Sequence, residues 1–226
     1  GNVKFDFPVP DVPEEDRRAI RERLGLAPGA LVVVAGSTHE TEEDLLGAAF
    51  DWVQGDLWRE DHRLVHLVIV PRHPERFDSV WEQVSKWGFT SQRWSKPAGE
   101  SVLVTLVDEM GLLMRLYAIA DVAVVCGSFV AHVGGHNILE PAAFGVPVVF
   151  GPHMHAQRGM RDALLAAEGG VQVKDADRRS LIEVLERLLR DESERRRIGD
   201  NARRALERHR GSAERSVEVI VELLTR

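Results

Sequence analysis

Cysteine is almost missing from this chain: Cys126 is the only one in 226 residues. A lone thiol excludes an internal disulfide framework and any multi-cysteine zinc site, and a reducing, cytoplasmic compartment is the expectation. Basic charge is also short, with 29 Lys and Arg against 36 Asp and Glu and a net charge of −7. Surfaces that hold nucleic acid or anionic membrane want a basic excess, so neither partner is expected. No apolar run approaches the roughly 20 residues that span a bilayer, so no membrane insertion is expected of this chain. Glycine-rich nucleotide fingerprints are missing too. The loop after the first apolar run offers only Gly36 where a dinucleotide site needs Gly-x-Gly-x-x-Gly, and there is no Walker loop. His132, His136, His153 and His155 cluster without metal-site spacing to carboxylates. Loop polarity accounts for them more simply than zinc, and neither metal nor cofactor is expected.

What is present is an apolar fraction of 44%, rich in Val, Leu, Ile and Ala, which excludes disorder and suits one large α/β domain. Leu31–Ala35 is a continuous apolar run, too short and too β-branched for a helix, and Leu64–Val70 (with His66 inside it), Val122–Cys126 and Val146–Phe150 read as further strands. Phe89–Trp94, Val102–Leu106 and Val171–Val173 read as shorter strands. Between them the sequence predicts helices from Ser37 to about Val53, over Met110–Ala120, over Leu139–Phe144 and from about Arg158, with an amphipathic segment over Glu75–Trp87. Strands without polar alternation are buried on both faces, the mark of a parallel sheet covered by helices. The expected fold is α/β, a Rossmann-like doubly wound parallel sheet. Beyond residue 176 only helical stripes remain, one on Leu181, Val184, Leu185, Leu188 and Leu189 and one on Ala213, Val217, Ile220 and Leu224. The charge run Glu194–Arg197 between them reads as a solvated helix face. Residues 1–10 form an extended, Pro-containing strap that begins with Gly rather than Met. They set the expectation of a linker leading from an earlier part of a longer protein into a domain over 11–226.

A doubly wound sheet places its ligand at the C-terminal strand ends, and four loops there are rich in functional groups. In Gly36-Ser37-Thr38-His39-Glu40, hydroxyls and free N–H groups at a helix start could hold an anion, or Ser37 and Glu40 could form a capping box. In Pro71-Arg72-His73-Pro74-Glu75-Arg76, the Arg72 fork suits a phosphate or carboxylate, against an ion pair with Glu75 or another acid; Arg76 reads as structural. Backbone groups of Glu109-Met110-Gly111 could flank a base, with Gly111 allowing close approach. The richest is Gly127-Ser128 followed by Gly134-Gly135-His136-Asn137-Ile138-Leu139-Glu140-Pro141. Its glycines allow close approach, its helix start faces negative charge, and Glu140 could accept from a ribose diol. A capping pair of Asn137 and Glu140 is the alternative, disfavoured by Pro141, which would sit where the first intrahelical N–H is needed.

These stretches resemble a known family. Ser37-Thr38-His39-Glu40 with Glu42-Glu43, Pro71 to Phe77, Val107-Asp108-x-Met110-Gly111 with Tyr117 and Asp121, and Gly134-Gly135-His136-Asn137-x-Leu139-Glu140-Pro141 occur in that order. With Gly145-Val146-Pro147-Val148 through His153, they are similar to the C-terminal half of the 3-deoxy-D-manno-octulosonic acid (Kdo) transferases. The resemblance implies one half of a GT-B glycosyltransferase, a domain that binds CMP-Kdo and from which the acceptor domain is missing. It implies that Arg72, Met110-Gly111 and Asn137 through Glu140 contact CMP, with Ser37, Thr38, Gly134 and Gly135 near the phosphate or sugar acid. It further implies metal-independent, inverting transfer to a lipid A precursor at the cytoplasmic face of the bacterial inner membrane, in lipopolysaccharide biosynthesis. The catalytic base would lie in the missing N-terminal domain, so this half alone is expected to be inactive. Met154-His155-Ala156-Gln157 departs from the Asn-Phe pair usual in the family. Two other readings stay open: the nucleotide-sugar domain of another GT-B enzyme, a UDP-sugar transferase or epimerase, and a free-standing, non-catalytic CMP-sugar-binding module.

Overall fold

The computed structural model describes residues 5–99 and 102–209. The β-branched runs form seven strands: β1 (Leu31–Thr38), β2 (Val65–Pro71), β3 (Ser91–Arg93), β4 (Val104–Leu106), β5 (Val122–Val125), β6 (Val148–Phe150) and β7 (Gly170–Gln172). They pair in the order β3-β4-β2-β1-β5-β6-β7, and every pairing is parallel. The chain works outward from β1 on one side, then returns across it to β5 on the other. That reversal opens a crevice at the C-terminal ends of β1 and β5, where ligands of such sheets sit.

Both faces are covered. The described helices are α1 (Glu14–Arg23), α2 (Glu42–Asp61), α3 (Phe77–Val84), α4 (Leu113–Tyr117), α5 (Leu139–Ala142), α6 (Arg158–Ala166), α7 (Arg178–Arg190) and α8 (Glu192–His209). Strand side chains alternate between faces. Val32 and Val34 of β1, with Val68 of β2 and Val125 of β5, pack against Leu116, Leu139, Leu164 and Leu206. Val33 and Ala35, with Leu67, Ile69 and Val124, pack against Phe50, Val53, Val80 and Leu185. Each such side chain removed from water contributes about 1.5–3 kcal/mol, which is why every residue of β2 is buried.

Two expected boundaries move, and one expected surface residue is buried. Helix α2 runs eight residues past Val53, because Leu57 continues the buried stripe of Leu46, Phe50 and Val53. The helix expected from Met110 begins at Leu113, because Gly111 sits at φ 86°, outside the helical region. In the charge run, Arg196 and Arg197 are solvated and paired with Glu192 and Glu168, but Arg195 is buried. Its guanidinium donates to the carbonyls of Leu188 and Leu189 at 2.7 and 2.9 Å, capping the C-terminus of α7. The stripe from Ala213 to Leu224 and residues 1–4 of the strap lie outside the described residues. Among the described residues no helix is long and apolar enough to cross a membrane.

Candidate functional site

A cavity of about 430 Å³ lies at the crevice between β1, β2 and β5. Its floor is Val70 and Val125, from the ends of β2 and β5, the two strands that flank β1. Of the predicted site residues, Ser37, Pro71, Arg72, Glu109, Met110, Gly111, Asn137 and Glu140 all line it. They come from four loops spread over 104 positions of sequence, and the fold alone brings them together.

The end of β1 corrects one expectation. Ser37 and Glu40 do not form a capping box: β1 continues through Thr38, and the Thr38 carbonyl accepts the Arg72 N–H at 3.0 Å. Sheet pairing wins over the local cap, and α2 starts at Glu42. Ser37 is instead bulged, at φ 59° where the β1–β2 register shifts, and is freed to face the cavity. The carboxylate that reaches back is Glu42, which accepts the His39 N–H at 2.9 Å. The same buried carboxylate accepts the Gly127 N–H at 2.8 Å and the Phe129 N–H at 3.1 Å, clamping the loop after β1 to the loop after β5. Burial raises its pKa, and the three N–H donors oppose the shift. Both oxygens act as acceptors, and all three bonds favour the ionised carboxylate.

Glu43 makes the second clamp. It is fully buried, accepts the Thr38 hydroxyl at 2.7 Å, and takes a bidentate pair from Arg76 at 2.9 and 3.0 Å. Arg76 is therefore structural, as its position suggested. The same bond turns Thr38 away from the cavity, contrary to its expected place beside the ligand. Arg72 is exposed, and among the described residues its guanidinium makes no hydrogen bond or ion pair. The rival partner, Glu75, lies 3.6 Å from His73 instead.

Across the cavity, Asn137 does two things. Its Oδ1 accepts the Leu139 N–H at 3.1 Å, and its Nδ2 donates to Glu140 Oε1 at 3.2 Å. Capping and ligand-facing readings thus coexist: Asn137 caps the turn, and Glu140 keeps its second oxygen toward the cavity. Burial raises the Glu140 pKa, opposed by Asn137 and then by the Arg72 charge. Ile138 and Leu139 do not line the cavity; both are fully buried and anchor the loop to the core. Gly134 and Gly135, at φ 81° and 90°, also face elsewhere. A side chain at Gly134 would strike the His155 ring, and one at Gly135 the Met154 sulfur. Their glycines serve close packing against the Met154–Gln157 segment, whose Gln157 reaches the cavity wall.

Sequence reasoning missed Tyr117, Leu113 and His136 as lining side chains. Tyr117, the chain's one tyrosine, is 1% exposed and lines the cavity with Leu113; Gly36 is what lets it approach. His136 lines the cavity and stacks on His39, with rings 5.0 Å apart and tilted by 10°, and their Nε2 atoms 2.7 Å apart. The two are 97 residues apart, so no spacing could have paired them. Among the described residues no group of three or more His, Cys, Asp or Glu is arranged to hold a metal. A free guanidinium, a carboxylate oxygen, two hydroxyls and open backbone at Glu109–Gly111 make a site for a ligand that is anionic at one end and hydroxylated at the other.

Comparison with known proteins gives this geometry a context. The family model of glycosyl transferases group 1 matches residues 56–205. A 3-deoxy-D-manno-octulosonic acid transferase of Chlamydia muridarum is 33% identical over 224 residues, covering 97% of this chain and 49% of that protein. The enzyme of the same name from Haemophilus influenzae is 33% identical over 229 residues, covering 100% of this chain and 51% of that protein. The chain therefore spans about half the length of the curated relatives it matches. Among solved structures, the C-terminal CMP-Kdo binding domain of WaaA from Acinetobacter baumannii superposes with a TM-score of 0.72 at 28% identity, over 85% of this chain and 96% of that one. A parallel seven-stranded sheet with its cavity at the crossover, matched over most of its length by that family's model, assigns the chain: it belongs to the glycosyl transferases group 1.

Proposed function

We propose that this chain is the donor-binding domain of a Kdo transferase, and that the cavity at the β1–β5 crevice holds CMP-Kdo. The observation that carries this reading is the pairing of a free Arg72 guanidinium with a Glu140 oxygen across one cavity, in a chain similar to a CMP-Kdo binding domain. Glu140 would accept from the ribose diol, the Glu109–Gly111 backbone would flank the base, and Arg72 and Ser37 would hold the anionic groups. In the whole enzyme, an acceptor hydroxyl oxygen of a lipid A precursor bonds to the anomeric carbon as the carbon–phosphate oxygen bond breaks. The hydroxyl proton goes to a base outside this chain, and CMP leaves with the electron pair. Positive and N–H groups at the cavity would stabilise the departing phosphate, with no metal required. Such an enzyme would work at the cytoplasmic face of the inner membrane.

Calorimetric titration with CMP, with UMP and NAD as controls, tests the donor assignment. Selective CMP binding supports it; binding of UMP or NAD in place of CMP overturns it in favour of another nucleotide-sugar domain. Glu140→Ala should weaken CMP binding with little change in melting temperature, whereas a large stability loss at unchanged affinity would make Glu140 a capping residue. Co-expression with the N-terminal half of a relative addresses catalysis. Restored transfer rules out a free-standing binding module.

A further inference from the structure

We propose that His39 and His136 act as one binding unit that takes up a single proton when the anionic donor enters the cavity. The inference rests on the donor-binding reading above and adds to it a partner for the donor's negative charge. The geometry fixes the proton count. Two imidazole Nε2 atoms 2.7 Å apart must share one hydrogen, since two would collide and none would leave lone pair against lone pair. In the neutral pair, one ring donates through Nε2 and carries a bare Nδ1; the other accepts at Nε2 and carries its hydrogen on Nδ1. Only one outward nitrogen is then a donor. Among the described residues the rings bond to each other only through Nε2, and neither Nδ1 is a buried atom without a partner, so both outward nitrogens are open to a ligand. One added proton goes to the bare Nδ1, leaves the bridge intact, and gives the pair a unit charge with two outward N–H donors.

The surroundings hold the empty pair neutral. His73 meets the His39 ring edge-on at 5.4 Å. Arg76 and His132 add positive field at His39, and Arg72 and His73 add it at His136. Glu43 is the opposing charge at His39, but it is already bound to Arg76. Glu42 meets this group only through the His39 backbone N–H. Burial is the largest influence on both rings, lowering His39 and pushing His136 down to about 4. An anion in the cavity reverses this balance, since an opposite charge within about 4–6 Å favours the charged form. It also neutralises Arg72, one of the charges that suppress protonation. The loops after β1 and β5, already clamped by Glu42, thus present a charge that develops only when there is an anion to meet it.

Linkage gives the sign: the bound form holds more protons than the free form, so affinity rises as pH falls, by at most about tenfold per pH unit. The probe is the phosphate methyl ester of CMP, a diester with no proton of its own to exchange near neutrality. Titration at pH 7 in two buffers of different ionisation enthalpy reads the proton uptake directly. The wild type should give different apparent enthalpies, corresponding to uptake of a sizeable fraction of one proton, and weaker binding at pH 8 than at pH 6.5. His136→Asn and His39→Asn should each bind more weakly, with uptake and pH dependence abolished. Normal ester binding with equal enthalpies in both buffers would overturn the inference and leave the donor reading standing. Unchanged uptake in both variants would do the same. No binding of CMP or its ester would instead bring down the donor reading itself.

Discussion

The buried Glu42 carboxylate joins the two halves of the site, and Glu42→Gln isolates that role without changing side-chain volume. One carboxylate oxygen takes the His39 and Gly127 N–H groups at 2.9 and 2.8 Å, and the other takes the Phe129 N–H at 3.1 Å. Glutamine has a single acceptor oxygen. In its best pose the carbonyl keeps the first two donors, and the amide NH₂ is turned against the Phe129 N–H, donor facing donor. One charge-assisted bond, about 1.5–3 kcal/mol, is lost, and a buried N–H left without a partner costs about 1–3 kcal/mol more. Part of this is offset, because burial already raises the Glu42 pKa and a neutral amide escapes the penalty of a buried charge. The expected net loss is about 2–3 kcal/mol, which in a domain of this size is about 5–10 °C in melting temperature. Differential scanning calorimetry at pH 7 reads it, and nucleotide affinity should fall with it, since the same bonds hold the loop that leads to Glu140. A variant that melts within about 1 °C of the wild type, or above it, would refute the reasoning. It would mean that the native carboxyl is protonated and that a neutral group already suffices there.

Three further expectations follow from single residues. Thr41 sits at φ 76° with no side-chain cap bond, so Thr41→Gly should relieve about 1–2 kcal/mol of strain, less about 0.5–1 for the looser unfolded chain; a lower melting temperature would contradict this. A Cβ at position 36 would fall on the Tyr117 hydroxyl and crowd Leu113, so Gly36→Ala should cost about 1–3 kcal/mol and weaken nucleotide binding, both read in one thermal-shift titration. His66, 1% exposed and bonded to the Val102 carbonyl and Thr105, is pushed by burial from 6.5 to about 4. Below pH 6.5 the unfolded chain takes a proton that the folded one refuses, so stability should fall by about 3 kcal/mol as pH drops toward 4 and level off above 6.5. A His66→Gln variant with an unchanged pH slope would count against that account.

The sheet was legible because burial on both faces leaves a sequence mark: continuous runs such as Leu31–Ala35 and Val122–Cys126 have no polar alternation to mislead. Loop positions around the cavity were legible for a related reason, since a parallel sheet puts the residues that follow its strands on one edge. What could not be read was direction. Ser37 and Glu40 have capping-box spacing, yet pairing with β2 carries β1 three residues further, to Thr38, and turns Ser37 toward the cavity. Thr38, one residue on, points the other way into Glu43. Adjacent strand residues face opposite sides, so a one-residue difference decides which hydroxyl meets a ligand. Gly134 and Gly135 carried a true signal of close approach, but the approaching group is the segment at Met154 and His155. Contacts between distant loops, such as His39 on His136, left no trace at all.

The two adjacent glutamates explain why this edge is rigid enough to be a site. Successive residues at a helix start point in different directions, so Glu42 faces the β5 loop and Glu43 faces Arg76 beyond β2. One dipeptide therefore ties the loops after three neighbouring strands to a common point. Neither carboxylate lines the cavity, and the groups that do, Arg72 and the second oxygen of Glu140, are left unpaired among the described residues: Glu43 takes Arg76, and Asn137 takes only one Glu140 oxygen. The fully buried carboxylates hold loops, and the more accessible charges are left for a ligand. Arg76 donates both to Glu43 and, at 3.2 Å, to the Thr38 carbonyl, the oxygen that also takes the Arg72 N–H, so the inner place at this strand end is already filled and the Arg72 side chain is left on the cavity side.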